Sequence, residues 1–147
     1  MATSMIMHGY PSSGLEMTAN TKRLLLVDID GKLIHSGGAG NQALICAFKE
    51  RFGIDDDFED IESAGMTDSG IVLSILNKHK IPPTHENVGA FLDSYVHFLS
   101  LELPRRKGTL LPGVLKLLEE LKARPHVVLA LLTGNVSRGA RLKLEHY

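Results

Sequence analysis

The chain lacks several features that would place it in a specialised class. It has one cysteine among 147 residues, Cys46, so no intramolecular disulfide can form. Because Cys46 lies in an apolar helical pattern, we expect it to be buried as packing rather than to act as a reactive thiol. The longest apolar runs are far shorter than the ~20 residues that a membrane-spanning helix needs. We therefore expect no membrane partner.

The chain also lacks an excess of charge of either sign. Sixteen basic and seventeen acidic residues give a formal net charge of −1, which does not favour binding to nucleic acid or to an anionic membrane. The acidic run at residues 55–60 is typical of a solvated loop or helix start. Residues 1–21 lack the pattern of a secretory signal, and we expect a disordered tail there. These features favour the cytoplasm and leave the oligomeric state unknown.

Two continuous apolar runs dominate what is present. Residues 23–28 and 127–132 have the pattern of strands covered on both faces, as in a parallel sheet. An amphipathic pattern over residues 114–121, with Pro112 near its first turn, predicts a helix before the second run. A helix between two such strands predicts an α/β fold with a Rossmann-like parallel sheet.

The segment between these strands has a different character. Glycines at 37, 38 and 40 indicate a flexible joint, and no strand pattern follows. The spacing predicts three helices: residues 41–52 closed by Gly53, a helix capped by Thr67 or Asp68 and ending near residue 80, and residues 85 or 86 to about 103. We expect residues 22–36 and 108–147 to form a partial catalytic core, and residues 37–107 to form an inserted α-helical cap.

Asp28 and Asp30 follow the first strand and precede Gly31. The carboxyl ends of parallel strands are where open α/β sheets place their sites. Paired carboxylates suit Mg²⁺, which prefers oxygen ligands and retains several waters. One carboxylate could attack phosphorus and form an aspartyl-phosphate. The other could donate a proton to the leaving oxygen and later activate water.

A second polar motif, Thr133-Gly134-Asn135, follows the second strand. Its hydroxyl, its backbone N–H groups and its side-chain amide could hold phosphate oxygens at the same sheet edge. A simple turn and helix cap is the alternative for these residue types. The position after a second apolar strand favours the phosphate-binding interpretation.

Other interpretations of the glycine and aspartate motifs fit less well. An Asp-x-Asp-Gly sequence alone is also typical of a turn. An EF-hand aligned on Gly31 would need ligands at Leu26 and Gly37, which supply none. The chain has no Gly-Lys-Ser/Thr for a Walker A loop, and the glycines at 38 and 40 do not immediately follow a strand as a dinucleotide fingerprint requires.

The motifs resemble those of a known family. Asp28-Ile29-Asp30-Gly31-x-Leu33 resembles the first motif of the haloacid dehalogenase superfamily of phosphatases, and residues 131–135 resemble its second. The helical insertion resembles the helical cap of that family, and residues 111–114 resemble the return to its core. Residues 65–68 resemble a cap segment that helps to recognise substrate in phosphoglycolate-phosphatase-like members.

The resemblance implies catalytic roles for three residues. Asp28 would be the nucleophile and a Mg²⁺ ligand. Asp30 would be the general acid and base, and its backbone carbonyl would also meet the metal. Lys143 is the candidate for the cation that pairs the charges of nucleophile and phosphate, with a plain surface lysine as the alternative.

The resemblance also implies binding roles. Thr133, with Gly134 and Asn135, would bind the transferring phosphoryl group, and Thr67 and Asp68 would bind substrate. The expected activity is magnesium-dependent hydrolysis of small phosphate esters, with a small phosphorylated metabolite as partner.

The chain departs from the family pattern in two ways. Lys32 stands where the family usually has threonine, so a cation could compete with Mg²⁺ or point to solvent. The fourth motif, an acidic group on a later strand, has no counterpart, and we expect its carboxylate and the remaining core strands to lie downstream of Tyr147. The core is therefore expected to be incomplete and its activity impaired. The alternative is a non-catalytic truncated relative that binds partners or has no independent function.

Overall fold

The computed structural model describes residues 21–147. Its strands are β1 (Arg23–Val27), β2 (Ile34–His35), β3 (Thr109–Leu110) and β4 (Val127–Leu131). Its helices are α1 (Ala39–Phe52), α2 (Asp68–Lys78), α3 (His85–Glu102), α4 (Val114–Lys122) and α5 (Ser137–His146), with a short 3-10 helix, Leu103–Arg105, after α3. The predicted α/β class is confirmed. The predicted disordered tail lies outside the described residues except for Thr21.

A parallel pair of strands sets the position of both sequence motifs. β1 and β4 pair in parallel, in register from Arg23 with Val127 to Val27 with Leu131. The Leu132 N–H donates to the Val27 carbonyl at 3.0 Å, which extends the ladder past both strands. The chain therefore leaves β1 and β4 at the same edge of the sheet, as predicted.

The predicted burial of these strands is wrong for the described part of the chain. Leu24 is 59% exposed, Leu26 53% and Leu131 47%, although all three lie in continuous apolar runs. β1 pairs with β4, and α4 packs against β4. A two-stranded sheet flanked by one helix cannot cover both of its faces, so the apolar side chains stay in contact with solvent.

A second small sheet was not predicted. β2 and β3 pair antiparallel, Ile34 with Leu110 and His35 with Thr109. The Leu111 N–H also donates to the Leu33 carbonyl at 2.8 Å. Two-residue strands are too short to show a hydrophobic period, so no pattern in the sequence predicts them. This pairing places the two ends of the helical segment side by side.

The three helices between β2 and β3 match the predicted ones and share a core. Phe48 of α1 packs against Phe91 of α3, with ring centroids 5.5 Å apart, and both residues are fully buried. Gly53 closes α1 in the left-handed region at φ 69°, as helix ends favour. Thr67 caps α2 by accepting the Gly70 N–H at 3.0 Å. No helix of residues 21–147 is long and apolar enough to cross a membrane.

The burial predicted for Cys46 is found only in part. Cys46 is half-buried rather than fully buried, because it lies at the edge of the buried face of α1 and accepts a hydrogen bond from Gln42 at 3.5 Å.

The acidic run at residues 55–60 is a loop, as predicted. One member of it, Asp56, is held by Lys78 at 2.7 Å and by His79 at 2.6 Å. These contacts lower the pKa of Asp56, the Lys78 hydrogen bond most strongly.

Tyr147 packs against two hydrophobic clusters of the described residues and buries its hydroxyl between them. Its ring packs against the cluster that contains Phe48 and against the one that contains Ile29. Its hydroxyl is buried and has no hydrogen-bond partner among residues 21–147. A buried hydroxyl without a partner costs free energy.

A Tyr147→Phe variant should therefore be more stable, with a free energy of unfolding raised by about 1 kcal/mol because the unpaired hydroxyl is removed. Urea denaturation measures this change. Tyr95→Phe is the matched control, since the Tyr95 hydroxyl interacts with the Asp68 carboxylate and its removal should destabilise. A Tyr147→Phe protein less stable than the parent would contradict the prediction.

Candidate active site

A cleft of about 860 Å³ opens at the carboxyl edge of β1 and β4, between the sheet and the helices that follow β2. All the residues that the sequence singled out for a site line it: Asp28, Asp30, Thr67, Asp68, Thr133, Gly134, Asn135 and Lys143. The parallel register explains the meeting of the two strand-end motifs, and it confirms that Asp28 and Thr133 lie at the same sheet edge.

Asp28 is the first residue after β1 and is exposed to the cleft. One carboxylate oxygen, Oδ1, accepts the N–H of Ile29 at 2.8 Å, which fixes the side chain without consuming its other oxygen. The chain then turns at Gly31, where φ is 71°. The left-handed conformation favours glycine here. A fully buried Ile29 anchors this turn beneath the carboxylates.

Asp30, Asn135 and Lys143 form one hydrogen-bonded network. The ammonium Nζ of Lys143 lies 2.7 Å from Asp30 Oδ2 and donates to Asn135 Oδ1 at 2.6 Å. The Asn135 amide donates in turn to Asp30 Oδ2 at 2.7 Å. The Lys143 side chain is 5% exposed and that of Asp30 is 43% exposed. The alternative of a plain surface lysine is therefore wrong, because α5 turns Lys143 inward to the cleft.

The Thr133 hydroxyl stabilises the loop after β4. Its oxygen accepts the Asn135 side-chain amide at 2.8 Å and the Asn135 N–H at 3.3 Å. The motif is therefore a turn held by a hydroxyl, and α5 itself begins after Val136. The same turn presents the Thr133 side chain and the Gly134 backbone to the cleft. The turn and the phosphate-binding interpretations are thus compatible.

Asp68 connects the start of α2 to this loop. Its carboxylate accepts the Val136 N–H at 2.8 Å, and its own N–H donates to the Gly134 carbonyl at 2.8 Å. Burial raises the pKa of Asp68, with a smaller contribution from Asp30, while the Val136 N–H and Lys143 oppose the rise. The backbones of Gly134 and Met66 lie close together, since a Cβ at Gly134 would lie 2.6 Å from the Met66 carbonyl oxygen.

Asp68→Ala should lower the free energy of unfolding by about 1–3 kcal/mol, because the Val136 N–H loses its acceptor. Asp68→Asn retains an acceptor oxygen of the same reach and should change stability by less than about 1 kcal/mol. Urea denaturation of both variants measures the difference. Equal destabilisation by alanine and asparagine would show that the carboxylate charge, and not the hydrogen bond, stabilises the junction.

The raised pKa of Asp68 also determines whether its contribution to the free energy of unfolding rises or falls with pH. Between the ordinary and the raised pKa, the folded protein binds more protons than the unfolded chain. The contribution of Asp68 to the free energy of unfolding therefore falls as pH rises through this window. Subtracting the pH profile of Asp68→Asn from that of the parent should isolate this fall. A contribution that increases with pH would contradict it.

The ligands available to a cation fit Mg²⁺ only in part. Within residues 21–147, no three histidine, cysteine, aspartate or glutamate side chains are placed to hold a metal ion together. The family resemblance implies the Asp28 carboxylate and the Asp30 backbone carbonyl as oxygen ligands, and Mg²⁺ accepts such a small set when waters complete its shell. Lys32 is exposed and does not line the cleft, so it points to solvent rather than to these ligands.

Tyr95 is a buried member of this site that the sequence analysis missed. It lies on α3, lines the cleft and interacts with the Asp68 carboxylate through its hydroxyl. Burial, first, and the nearby carboxylates raise the pKa of Tyr95 strongly, so the hydroxyl stays protonated. A tyrosine among apolar residues at helical spacing is indistinguishable from core in sequence, so no signal pointed to it.

Comparison with known proteins places this geometry in a known fold. The chain matches no family model and no curated protein. Solved structures do match, including a hydrolase from Pseudomonas syringae with 18% identity over 86% of this chain and a TM-score of 0.65. Another is described as a predicted phosphoglycolate phosphatase from Haemophilus somnus, with 19% identity over 88% of this chain and a TM-score of 0.58.

These likenesses establish the fold. The chain shares the α/β fold of these structures, one described as a hydrolase and the other as a predicted phosphoglycolate phosphatase, so the resemblance is confirmed at the level of the fold. The chain spans 55% and 59% of the lengths of the two structures. The division into core and cap and the roles of the individual site residues stay predictions.

Proposed function

We propose that the chain carries the site of a magnesium-dependent phosphatase that acts on small phosphorylated metabolites in the cytoplasm. The observation that supports this most is the meeting of Asp28, Thr133 and the Lys143–Asp30 pair in one cleft at a parallel sheet edge. A nucleophile, a hydroxyl donor and a buried cation are the groups that phosphoryl transfer requires. The shared fold with hydrolases supports the same class of reaction.

In the proposed reaction, the Asp28 carboxylate attacks phosphorus and displaces the alcohol. A bond from Asp28 to phosphorus forms while the bond from phosphorus to the ester oxygen breaks, and Asp30 donates a proton to that oxygen. Asp30 then takes a proton from a water molecule, which attacks phosphorus and releases Asp28 and inorganic phosphate. Asn135 and Lys143 hold Asp30 at the position from which it acts.

Two features of the chain lower the barrier in this scheme. The Lys143 ammonium and the Thr133 hydroxyl offset negative charge on the transferring phosphoryl group. Bound Mg²⁺, held by the Asp28 carboxylate and the Asp30 carbonyl, would neutralise the repulsion between carboxylate and phosphate. With only two protein ligands, binding of Mg²⁺ is expected to be weak and turnover slow.

We propose that residues 37–107 act as a cap over a core made of residues 22–36 and 108–147. The paired ends of this segment at β2 and β3 support a hinge there. The hydrogen bonds between Asp68 and the loop after β4 support a closed position over the cleft. In that position, Thr67 and Asp68 lie beside the expected phosphate. Such a cap would exclude water during the reaction.

The proposal is tested by following phosphate release from p-nitrophenyl phosphate. We expect slow release with Mg²⁺ that stops when a chelator removes the metal and resumes when Mg²⁺ is restored. Release that is indifferent to the chelator would contradict a magnesium-dependent mechanism. Mg²⁺ affinity, measured separately by titration, should be weak for the reason given above.

A non-catalytic relative that binds phosphorylated ligands is the second candidate. The lack of a three-ligand metal cluster within residues 21–147 favours it. It predicts that inorganic phosphate binds to the cleft while no ester is hydrolysed at any Mg²⁺ concentration. Phosphate release from p-nitrophenyl phosphate, measured alongside calorimetric titration with inorganic phosphate, therefore separates the candidates.

A further inference from the structure

One part of the cleft wall is apolar. Five side chains form it: Leu44 of α1, Phe58 and Ile61 of the loop before α2, Met66, and Ile71 of α2. Phe58 is buried, and its ring meets that of Phe48 edge-on at 5.4 Å. Its N–H donates to Asp56 at 3.0 Å and its φ is 58°, so the backbone is held in an uncommon conformation that presents the ring. The position of the Phe58 ring in this wall is therefore held by its own packing and backbone.

The charges that line the cleft are unequally distributed. Lys143 is the one cation among the lining residues that the structure describes, and it is already bound to Asp30 and Asn135. Three carboxylates, those of Asp28, Asp30 and Asp68, line the same space. A ligand with a negative charge beyond its phosphate would find no free cation and would be repelled by these groups. Placing that charge against the apolar wall would also cost desolvation.

We propose that this cleft selects phosphate monoesters whose alcohol is uncharged and apolar, and discriminates against esters whose alcohol carries a carboxylate. The inference rests on the proposed function, because it assumes that phosphate occupies the end of the cleft near Asp28 and Thr133. A volume of about 860 Å³ leaves room beyond a phosphate group for such an alcohol. Pockets of this size with mostly apolar walls and few polar groups are typical of small-molecule sites.

The inference is tested by calorimetric titration of the 147-residue chain, in buffer with Mg²⁺, with four probes. Inorganic phosphate reports the phosphate position alone. Ethyl phosphate and phosphoglycolate share a two-carbon alcohol and differ by the carboxylate. Phenyl phosphate adds an apolar ring, which should improve affinity about tenfold over ethyl phosphate by burying apolar area. Phosphoglycolate should bind more weakly than ethyl phosphate.

A variant should invert this preference. Met66→Arg places a cation on the apolar wall at an exposed position, and it should strengthen phosphoglycolate binding and weaken phenyl phosphate binding. Leu73→Arg is the matched control, because Leu73 is similarly exposed on α2 but does not line the cleft. Ile61→Arg tests the same idea from the neighbouring loop, so the conclusion does not depend on the folding of one variant.

The outcomes are distinct. If phosphoglycolate binds as tightly as phenyl phosphate to the parent chain while inorganic phosphate binds, the selectivity is wrong and the proposed function stands. If none of the four probes binds, the proposed function fails, and the selectivity fails with it. Unchanged selectivity in both arginine variants would show that the wall does not contact the alcohol.

Discussion

Asp28→Asn is expected to reduce Mg²⁺-dependent release of phosphate to the uncatalysed rate. The substitution removes a charged metal ligand and the nucleophile together, while the amide oxygen can still accept the Ile29 N–H that now bonds the carboxylate at 2.8 Å. The local turn should therefore survive, and the loss should be chemical rather than structural. Steady-state assays with p-nitrophenyl phosphate, together with Mg²⁺ titration, measure both effects.

Asp57→Asn is a close control for this prediction. The Asp57 carboxylate also accepts a nearby backbone N–H, that of Glu59 at 3.1 Å, but it is exposed and lies outside the cleft. Turnover of Asp57→Asn should equal that of the parent chain. Undiminished turnover of Asp28→Asn would exclude Asp28 as the nucleophile and require another group in the cleft.

Lys143→Met is expected to weaken the binding of inorganic phosphate by about 10- to 100-fold, as the loss of a charge-assisted contact of ~1.5–3 kcal/mol implies. Methionine has a similar length and suits the buried position, so packing should be retained. Asp30 keeps its hydrogen bond from Asn135 and is partly open to water, which limits the cost to stability. Calorimetric titration with phosphate measures the change.

The corresponding control is Lys49→Met. Lys49 forms an ion pair with Asp55 at 2.7 Å, but both side chains are exposed and distant from the lining residues of the cleft. Exposed ion pairs contribute little to stability, and phosphate affinity should not change. If Lys143→Met binds phosphate like the parent, the role of Lys143 is confined to holding Asp30 and Asn135 in place.

Local patterns in the sequence were enough to predict that the two strand-end motifs would meet. Parallel strands end at a common edge, so the apolar runs that lead into Asp28 and Thr133 are sufficient to place these residues at the same edge of the sheet. The helix ends at Gly53 and Thr67 could be predicted equally well, because both residues act through local backbone geometry. Each of these features depends only on neighbours in the chain.

What could not be predicted depends on distant residues. The sequence left Lys143 undecided between the site and the surface, because its burial depends on how α5 packs. The junction of Asp68 with Val136 joins residues 68 positions apart, and no local pattern encodes it. The burial expected for β1 was wrong because an apolar run indicates only that a strand is suited to burial. Whether the strand is buried depends on the other elements that pack against it, and these lie elsewhere in the chain.

The close contact at Gly134 couples the turn after β4 to the first turn of α2. The Gly134 carbonyl accepts the Asp68 N–H, and there is no space for a side chain between Gly134 and the backbone of Met66. The turn after β4 therefore cannot change its shape without displacing the first turn of α2, and the reverse is also true. A ligand that orders the turn must bias the position of α2, and by reciprocity a change that shifts α2 must alter the affinity of the turn for that ligand.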